Sequence, residues 1–254
     1  MKTAITRGVG GSIIDCELTY APRQHIDAHK AIEQQRAYEE SLKRLGVRVV
    51  SLPYNAELPD STFVQDTAIV VEELAVIARM GATTRRRETE LMTAVLSSFR
   101  DLKFINHNGT LEGGDVIMVG RTFYVGISSR TNREGVEQLR DILKPFDYQV
   151  KGVEVKGCLH LSTACSYVGR QTMLVNGSWV DTSQIGEFDV IEVPPAEPWA
   201  ANTVVVDDVV LMPDRYPLTR ALLEGRGFRV QTVDISELEK AEAGLSCLSI
   251  LFDN

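Results

Sequence analysis

Short runs of apolar residues alternate along the chain with segments of helical periodicity, and their order recurs. The stretch DTAIVVEELAVIARMGATTRRRETELMTAVL from Asp66 holds a polar residue, an apolar run, a polar turn, a second apolar run, an arginine-containing loop and a helix-like segment. DVIMVGRTFYVGISSRTNREGVEQLRDIL from Asp115 and NTVVVDDVVLMPDRYPLTRALLEGRGF from Asn202 repeat that order. A fainter copy, HLSTACSYVGRQTMLVNGSWV, starts at His160, and the helix pattern that follows it around TSQIGEF is weak. Apolar runs bounded by turn residues predict strands, and the 3.6-residue pattern predicts helices. One period upstream of Asp66, GGSIIDCELTY opens a first unit that continues with amphipathic HKAIEQQRAYEESLKRLG and the strand VRVVSL. Residues 241–254 supply a closing strand.

Starts at 66, 115, 160 and 202 are separated by 49, 45 and 42 residues, a period at which no unit buries its apolar face alone. Each unit brings a helix, which excludes an all-β blade. A closed ring of five removes exposed sheet edges. The expectation is therefore an α/β fold, a five-bladed propeller of pseudo-fivefold ββαβ repeats, with residues 1–254 as a single domain. In such a ring the residues opening each first strand, Asp66, Asp115, His160 and Asn202, with Cys247 opening the last, converge at one axial end.

Composition narrows the class. With 44% apolar and 24% charged residues the chain reads as globular. A net charge of −8 argues against a nucleic-acid partner and suits a small cationic ligand. No apolar run approaches the length of a membrane span, and the N-terminus lacks the apolar core of a signal peptide. Cys16, Cys158, Cys165 and Cys247 form no CxxC pair, so the expectation is a reduced, cytoplasmic protein with no metal site.

The candidate chemistry follows from the register. A lone strand histidine is usually core, but His160 shares its rank with Cys247, and a thiolate at neutral pH needs a base or cation nearby. Glu112, set before the Gly113–Gly114 bend, and Asp66 read as a two-carboxylate clamp for a cation. Arg85 and Arg130 occupy matching loops after the second strands of two units, where paired guanidinium groups hold a carboxylate.

In this order, PDSTFVQDTAIV, GATTRRRETE, TLEGGDVIMVGRTFYVGISSRTN, LHLSTACSY and GLSCLS resemble the dimethylarginine dimethylaminohydrolases, guanidino-group-modifying enzymes of the pentein fold. The resemblance covers essentially the whole chain. It implies hydrolysis of Nω-methylated arginines to citrulline and an amine, without metal or organic cofactor. Cys247 would be the nucleophile, His160 the general acid and base, and Asp66 and Glu112 the guanidinium ligands. Asp60, helped by backbone near Leu18, would contact the α-amino group, and Arg85 and Arg130 the α-carboxylate.

The sequence departs from the family pattern at Gln65, where an acid is usual, and at Glu242, where Asp is common. Successive strand side chains diverge, so Gln65 is expected beside the pocket rather than against the cation, tuning substrate choice. The sequence leaves open a sibling deiminase, a non-catalytic propeller that binds amino acids, and a homodimer.

Overall fold

In the computed structural model, which describes residues 1–254, fifteen strands form five separate three-stranded sheets. The first sheet joins β1 (Lys2–Arg7) and β2 (Arg48–Leu52) to β15 (Ile250–Asp253) from the far end of the chain. The others are continuous in sequence. They comprise β3 (Ala68–Val70), β4 (Leu74–Ile77) and β5 (Asp101–Phe104), then β6 (Val116–Val119), β7 (Thr122–Ile127) and β8 (Gln149–Glu154). After these come β9 (Cys165–Gly169), β10 (Thr172–Val175) and β11 (Asp189–Glu192), and finally β12 (Val204–Val206), β13 (Val209–Pro213) and β14 (Arg229–Val233).

Every sheet has one grammar: the middle strand runs antiparallel to its first neighbour and parallel to its last. A parallel step needs a crossover. Helices α1 (Ala28–Arg44), α2 (Arg86–Leu96) and α3 (Arg133–Leu143) make it in the first three sheets. After the single turn α4 (Leu161–Ala164), α5 (Pro217–Gly225) makes it in the last. Local sequence starts these helices as expected. The Asp27 carboxylate accepts from the amides of His29 and Lys30 at the head of α1, Asn132 caps α3, and Pro217 stands in the first turn of α5.

Five apolar clusters hold the ring together, one at each junction between neighbouring sheets. Ile5, Ile250 and Phe252 meet Ala75, Ile77 and Met92, while Val76 and Leu74 meet Phe123, Val125 and Leu139. Tyr124 and Val153 meet Met173 and Val175, and Leu174 and Ile191 meet Val210 and Leu223. The largest cluster joins Val204, Leu211 and Val233 to Ala4, Tyr38 and Leu42, so the fifth sheet packs back on the first. The expected five-bladed α/β ring is therefore present.

Two expectations fail locally. GGSIIDCELTY forms no strand: Gly11–Asp15 is a 3-10 turn and the following residues are irregular. The strand of that unit is β1, whose run KTAITR is buried on both faces as the centre of its sheet and so shows no alternation. In the fourth unit only the 3-10 turn Thr182–Gln184 stands between β10 and β11. Aromatic rings fill the space a helix would take, with Phe188 edge-on to Tyr124 and to Tyr167, both at 5.9 Å between centroids. No helix of the protein is long and apolar enough to cross a membrane.

Phe252 carries the ring's seam, buried edge-on to Phe99 at 5.5 Å. Phe252→Ala is expected to cost about 3–5 kcal/mol in urea unfolding, because cavity and transfer costs add at a site spanning two blades. Leu222→Ala on the exposed face of α5 should stay within roughly 0.5 kcal/mol.

Candidate active site

Each sheet is entered through a turn, and the ring sets these turns side by side. Asp66 lies in the 3-10 turn Val64–Thr67, Asp115 in Gly113–Asp115 and Cys247 in Ser246–Leu248, while His160 caps α4 and Asn202 precedes β12. All five are buried. Asp66, His160 and Cys247 line one small cavity of about 20 Å³ with Glu17, Asp60, Arg85, Arg130 and Glu242. A depression of about 530 Å³ lies elsewhere on the surface, and one of about 690 Å³ abuts the small cavity, sharing Glu242 and Ala243 with it; neither is lined by a cysteine or a histidine.

Glu112 reaches the same cluster from the strand-like segment before the Gly113 turn. Its Oε2 lies 2.8 Å from Nε2 of His160, and its Oε1 accepts from the amide of Gly81 at 3.0 Å. Asp66 takes the amide of Gly114 on Oδ1 at 3.1 Å and Arg85 Nη1 on Oδ2 at 2.8 Å. The two glycines allow this approach. A Cβ on Gly113 would stand 2.0 Å from the carbonyl oxygen of Gln65, and one on Gly114 2.6 Å from both Asp66 Oδ1 and His160 Nδ1. Asp115 fixes the histidine's backbone, its Oδ1 accepting from the amide of Leu161 at 2.9 Å and its Oδ2 from the Ser128 hydroxyl. The Asn202 side chain accepts from the Ser246 amide and donates to the Ser246 hydroxyl, which pins the turn that carries Cys247.

The electrostatics are those of a site crowded with acid. Burial alone would lower the His160 pKa, but Asp66, Asp115 and Glu112 overcome it and raise it to about 9. Glu112 is held low by the hydrogen bond and charge of His160 and by Arg85 and Arg130, against the cost of burial. Burial, then the charge of Asp66, push the Cys247 thiol up to about 12. The resting site thus pairs an imidazolium with a neutral thiol. Ligand atoms of Asp66, Glu112 and His160 lie within 4.8 Å of one another.

A strap closes the cavity. The Glu17 amide donates to both oxygens of Asp60, at 3.2 and 3.1 Å, and the Arg130 Nη2 donates to the Thr19 hydroxyl at 3.0 Å. Beyond it, the Glu242 carboxylate gathers the amides of Thr19, Tyr20 and Ala21.

Residues 48–200 match the family profile described as arginine deiminase. The N(G),N(G)-dimethylarginine dimethylaminohydrolase of Pseudomonas aeruginosa is 38% identical to the chain, over 99% of each sequence. The chain belongs to the dimethylarginine dimethylaminohydrolase family. Its Streptomyces coelicolor relative of the same name is 33% identical over 98% of this chain and 96% of its own. A solved structure of the Pseudomonas aeruginosa enzyme, a cysteine-to-serine variant complexed with citrulline, superposes with a TM-score of 0.93, 35% identity and 98% coverage of both chains. A histidine-to-glycine variant of a dimethylarginine dimethylaminohydrolase, as an adduct with S-methyl-L-thiocitrulline, gives 0.94, 36% identity and coverage of 98% and 99%. Membership makes this protein a pentein and a C–N hydrolase of linear amidines.

Within that family frame, the structure brings together Cys247, His160, Glu112, Asp66, Asp60, Arg85 and Arg130. Leu18 sits on the strap, its side chain packed on the cluster that contains Cys247. Gln65 does not join them. Residues 64–67 form a 3-10 turn rather than a strand, and this turn directs Gln65 to the Ser246 hydroxyl, from which its Oε1 accepts at 2.8 Å. There it lines a separate cavity of about 220 Å³ with Val116, Ser249 and Ile250.

Arg85 also differs from the expected open carboxylate arm. Most of its donors are engaged by Asp66 and Glu88, whereas Nη1 of Arg130 is buried without a hydrogen-bond partner. Sequence reading passed over Glu17, Thr19 and Glu88 as site residues, and placed Asp115 at the axial end without giving it a role. Only the Arg85–Glu88 spacing of three at a helix start and the strand-opening rank of Asp115 signalled them. Cys16, Cys158 and Cys165 are buried and unpaired, and burial is the main cause that raises all three thiols.

His160 raised from 6.5 to about 9 stabilises the fold below pH 6.5, and that contribution is lost as pH climbs through 9. NMR titration should show the His160 ring still protonated at pH 8. Glu112→Gln should move its midpoint downward.

Proposed function

We propose that this protein hydrolyses the Cζ–N bond of Nω-methylated arginines to citrulline and methylamine or dimethylamine, with Cys247 as nucleophile. The observation that carries the reading is one buried pocket in which a thiol, an imidazolium and an excess of carboxylates meet. We further infer that residues 1–254 act as one domain, in a reducing cytoplasmic setting.

Asp66 and Glu112 take the guanidinium, Asp60 the α-ammonium and Arg130, with the remaining N–H of Arg85, the α-carboxylate. Holding a delocalised cation still turns an encounter into a positioned attack. Its charge also offsets Asp66, so the Cys247 proton passes to solvent as substrate docks and the sulfur becomes a thiolate. Sulfur adds to Cζ, and the tetrahedral centre collapses as His160 gives its proton to the leaving amine. A thiouronium remains on Cys247. Neutral His160 then takes a proton from water, the hydroxide adds to Cζ, and expulsion of the thiolate leaves the ureido group of citrulline as the hydroxyl proton passes to the sulfur and restores the thiol.

The arginine deiminase profile makes unmodified arginine the second substrate to assay. A panel of arginine, mono- and dimethylated arginines and agmatine, read by ureido product and released amine, tests the whole scheme. Absence of turnover across the panel would overturn it.

Cys247→Ser should lower kcat by at least roughly a thousandfold without loss of fold. Asp66→Asn should cost about 3 kcal/mol in kcat/KM, because the cation loses its counter-charge. Gln65→Glu, at a residue that lines the separate cavity, should change it less than about tenfold. Equal effects at 65 and 66 would put both in contact with substrate.

For Arg130→Ala the expectation is a rise in KM for amino-acid substrates by roughly 30- to 150-fold, the worth of a charge-assisted hydrogen bond. Agmatine, which has no carboxylate, should shift by less than about threefold. Matching losses on both substrates would remove Arg130 from carboxylate binding.

A further inference from the structure

Glu88 lies outside the pocket, in the first turn of α2, yet it is almost fully buried. Its only hydrogen-bond partner is Arg85. Oε1 accepts from Nε at 3.1 Å and Oε2 from Nη2 at 2.9 Å, the two-pronged geometry that fixes a guanidinium plane. From that plane Nη1 reaches Asp66 Oδ2 at 2.8 Å, and Nη2 points its other side at the carbonyls of Asp60 and Phe63, both 3.4 Å away. Of five N–H groups on Arg85, four are thereby directed, and one on Nη1 is left for a ligand in the cavity that Arg85 lines.

The charges around Glu88 are few. Arg85 precedes its own helix, Asp60 and Asp66 face it from the 60–67 segment, and Arg7 faces it from β1. An uncharged side chain of the same shape would keep the packing and lose the fork. The cluster would then hold Asp66 and Arg85 together by one contact only, free to rotate about it.

Resting on the hydrolase reading above, we propose that Glu88 is a positioning residue: it locks the Arg85 guanidinium so that one edge aims Asp66 at the substrate cation and one N–H is kept for the substrate carboxylate. The residue touches no substrate atom. Burial pushes its carboxyl up to about 7 against the pull of Arg85, so the lock weakens as pH falls through neutrality. Asp115, raised to about 6, titrates lower, so an acidic limb in kcat/KM set by Glu88 moves down toward that of Asp115 when Glu88 no longer titrates.

Glu88→Gln and Glu88→Asp test this with dimethylarginine and agmatine as substrates, after thermal unfolding has shown each variant folded at the assay temperature. Glu88→Gln should lower kcat/KM for dimethylarginine by roughly 30-fold at pH 8 and shift the acidic limb to lower pH. Agmatine, which still needs Asp66, should lose activity too, by a smaller factor. Glu88→Asp, which keeps the charge with a shorter reach, should recover part of the loss and restore the limb.

A readout independent of turnover is the nitrogen-15 resonance of the Arg85 Nε–H. It should exchange slowly with solvent in the wild type and exchange fast in Glu88→Gln. A variant within threefold of wild type that keeps the limb and the slow Nε–H overturns the proposal. Loss of activity with an unchanged limb and resonance overturns it as well, since a merely structural defect would give that result. Should the wild type turn over none of the panel, the hydrolase reading fails, and the Nε–H exchange decides the role of Glu88 alone.

Discussion

The pocket is short of positive charge, and much else follows from that shortage. Asp60, Asp66, Glu88, Glu112 and Asp115 are buried around it, against Arg85, Arg130 and a protonated His160. Ion pairs that are buried stabilise little by themselves, since desolvation offsets most of their attraction. A deficit of cations is worse, and it shows in acids that hold their protons to higher pH than usual. Burial raises Asp115 to about 6 and Glu88 to about 7, and it holds the thiol protonated. A guanidinium entering this environment supplies the missing charge, and the same event frees the sulfur to react. Affinity and activation of the nucleophile are thus two outcomes of one electrostatic imbalance.

Such an arrangement demands a scaffold that does not relax. The five junction clusters supply it, because every turn that carries a site residue is rooted in a sheet packed on both sides. Hydrogen bonds then set the last fraction of an ångström. Asp115 holds the backbone after His160, Asn202 the turn of Cys247, and the Gly114 amide the carboxylate of Asp66. These supports come from the neighbouring blade in each case, so the site is a property of the ring and not of any unit in it.

The repeat was legible because each blade had to bury its own strands, which imprints apolar runs at a steady spacing. Asp66, Asp115, His160, Asn202 and Cys247 stood out by occupying one rank in that repeat. What the sequence hid has physical causes. β1 is buried on both faces although only Ala4 and Ile5 of its six residues are apolar, and the fourth crossover replaces a helix with packed rings that have no period. Gln65 and Asp66 were read with strand geometry, but a 3-10 turn decides where each goes. Glu88 was invisible because its importance lies in a partner's orientation, which spacing alone does not reveal.

The seam of the ring has a consequence for biosynthesis. Ile5 pairs with Ile250 across about 245 residues, and Cys247 lies three positions before that pairing. Four blades can form as they leave the ribosome, since their strands are neighbours in sequence. The first cannot, and until the late strand arrives β1 keeps one bare edge and the cavity has no sulfur. Completion of the fold and arming of the site are therefore the same step, so a nascent chain with four finished blades is still chemically silent.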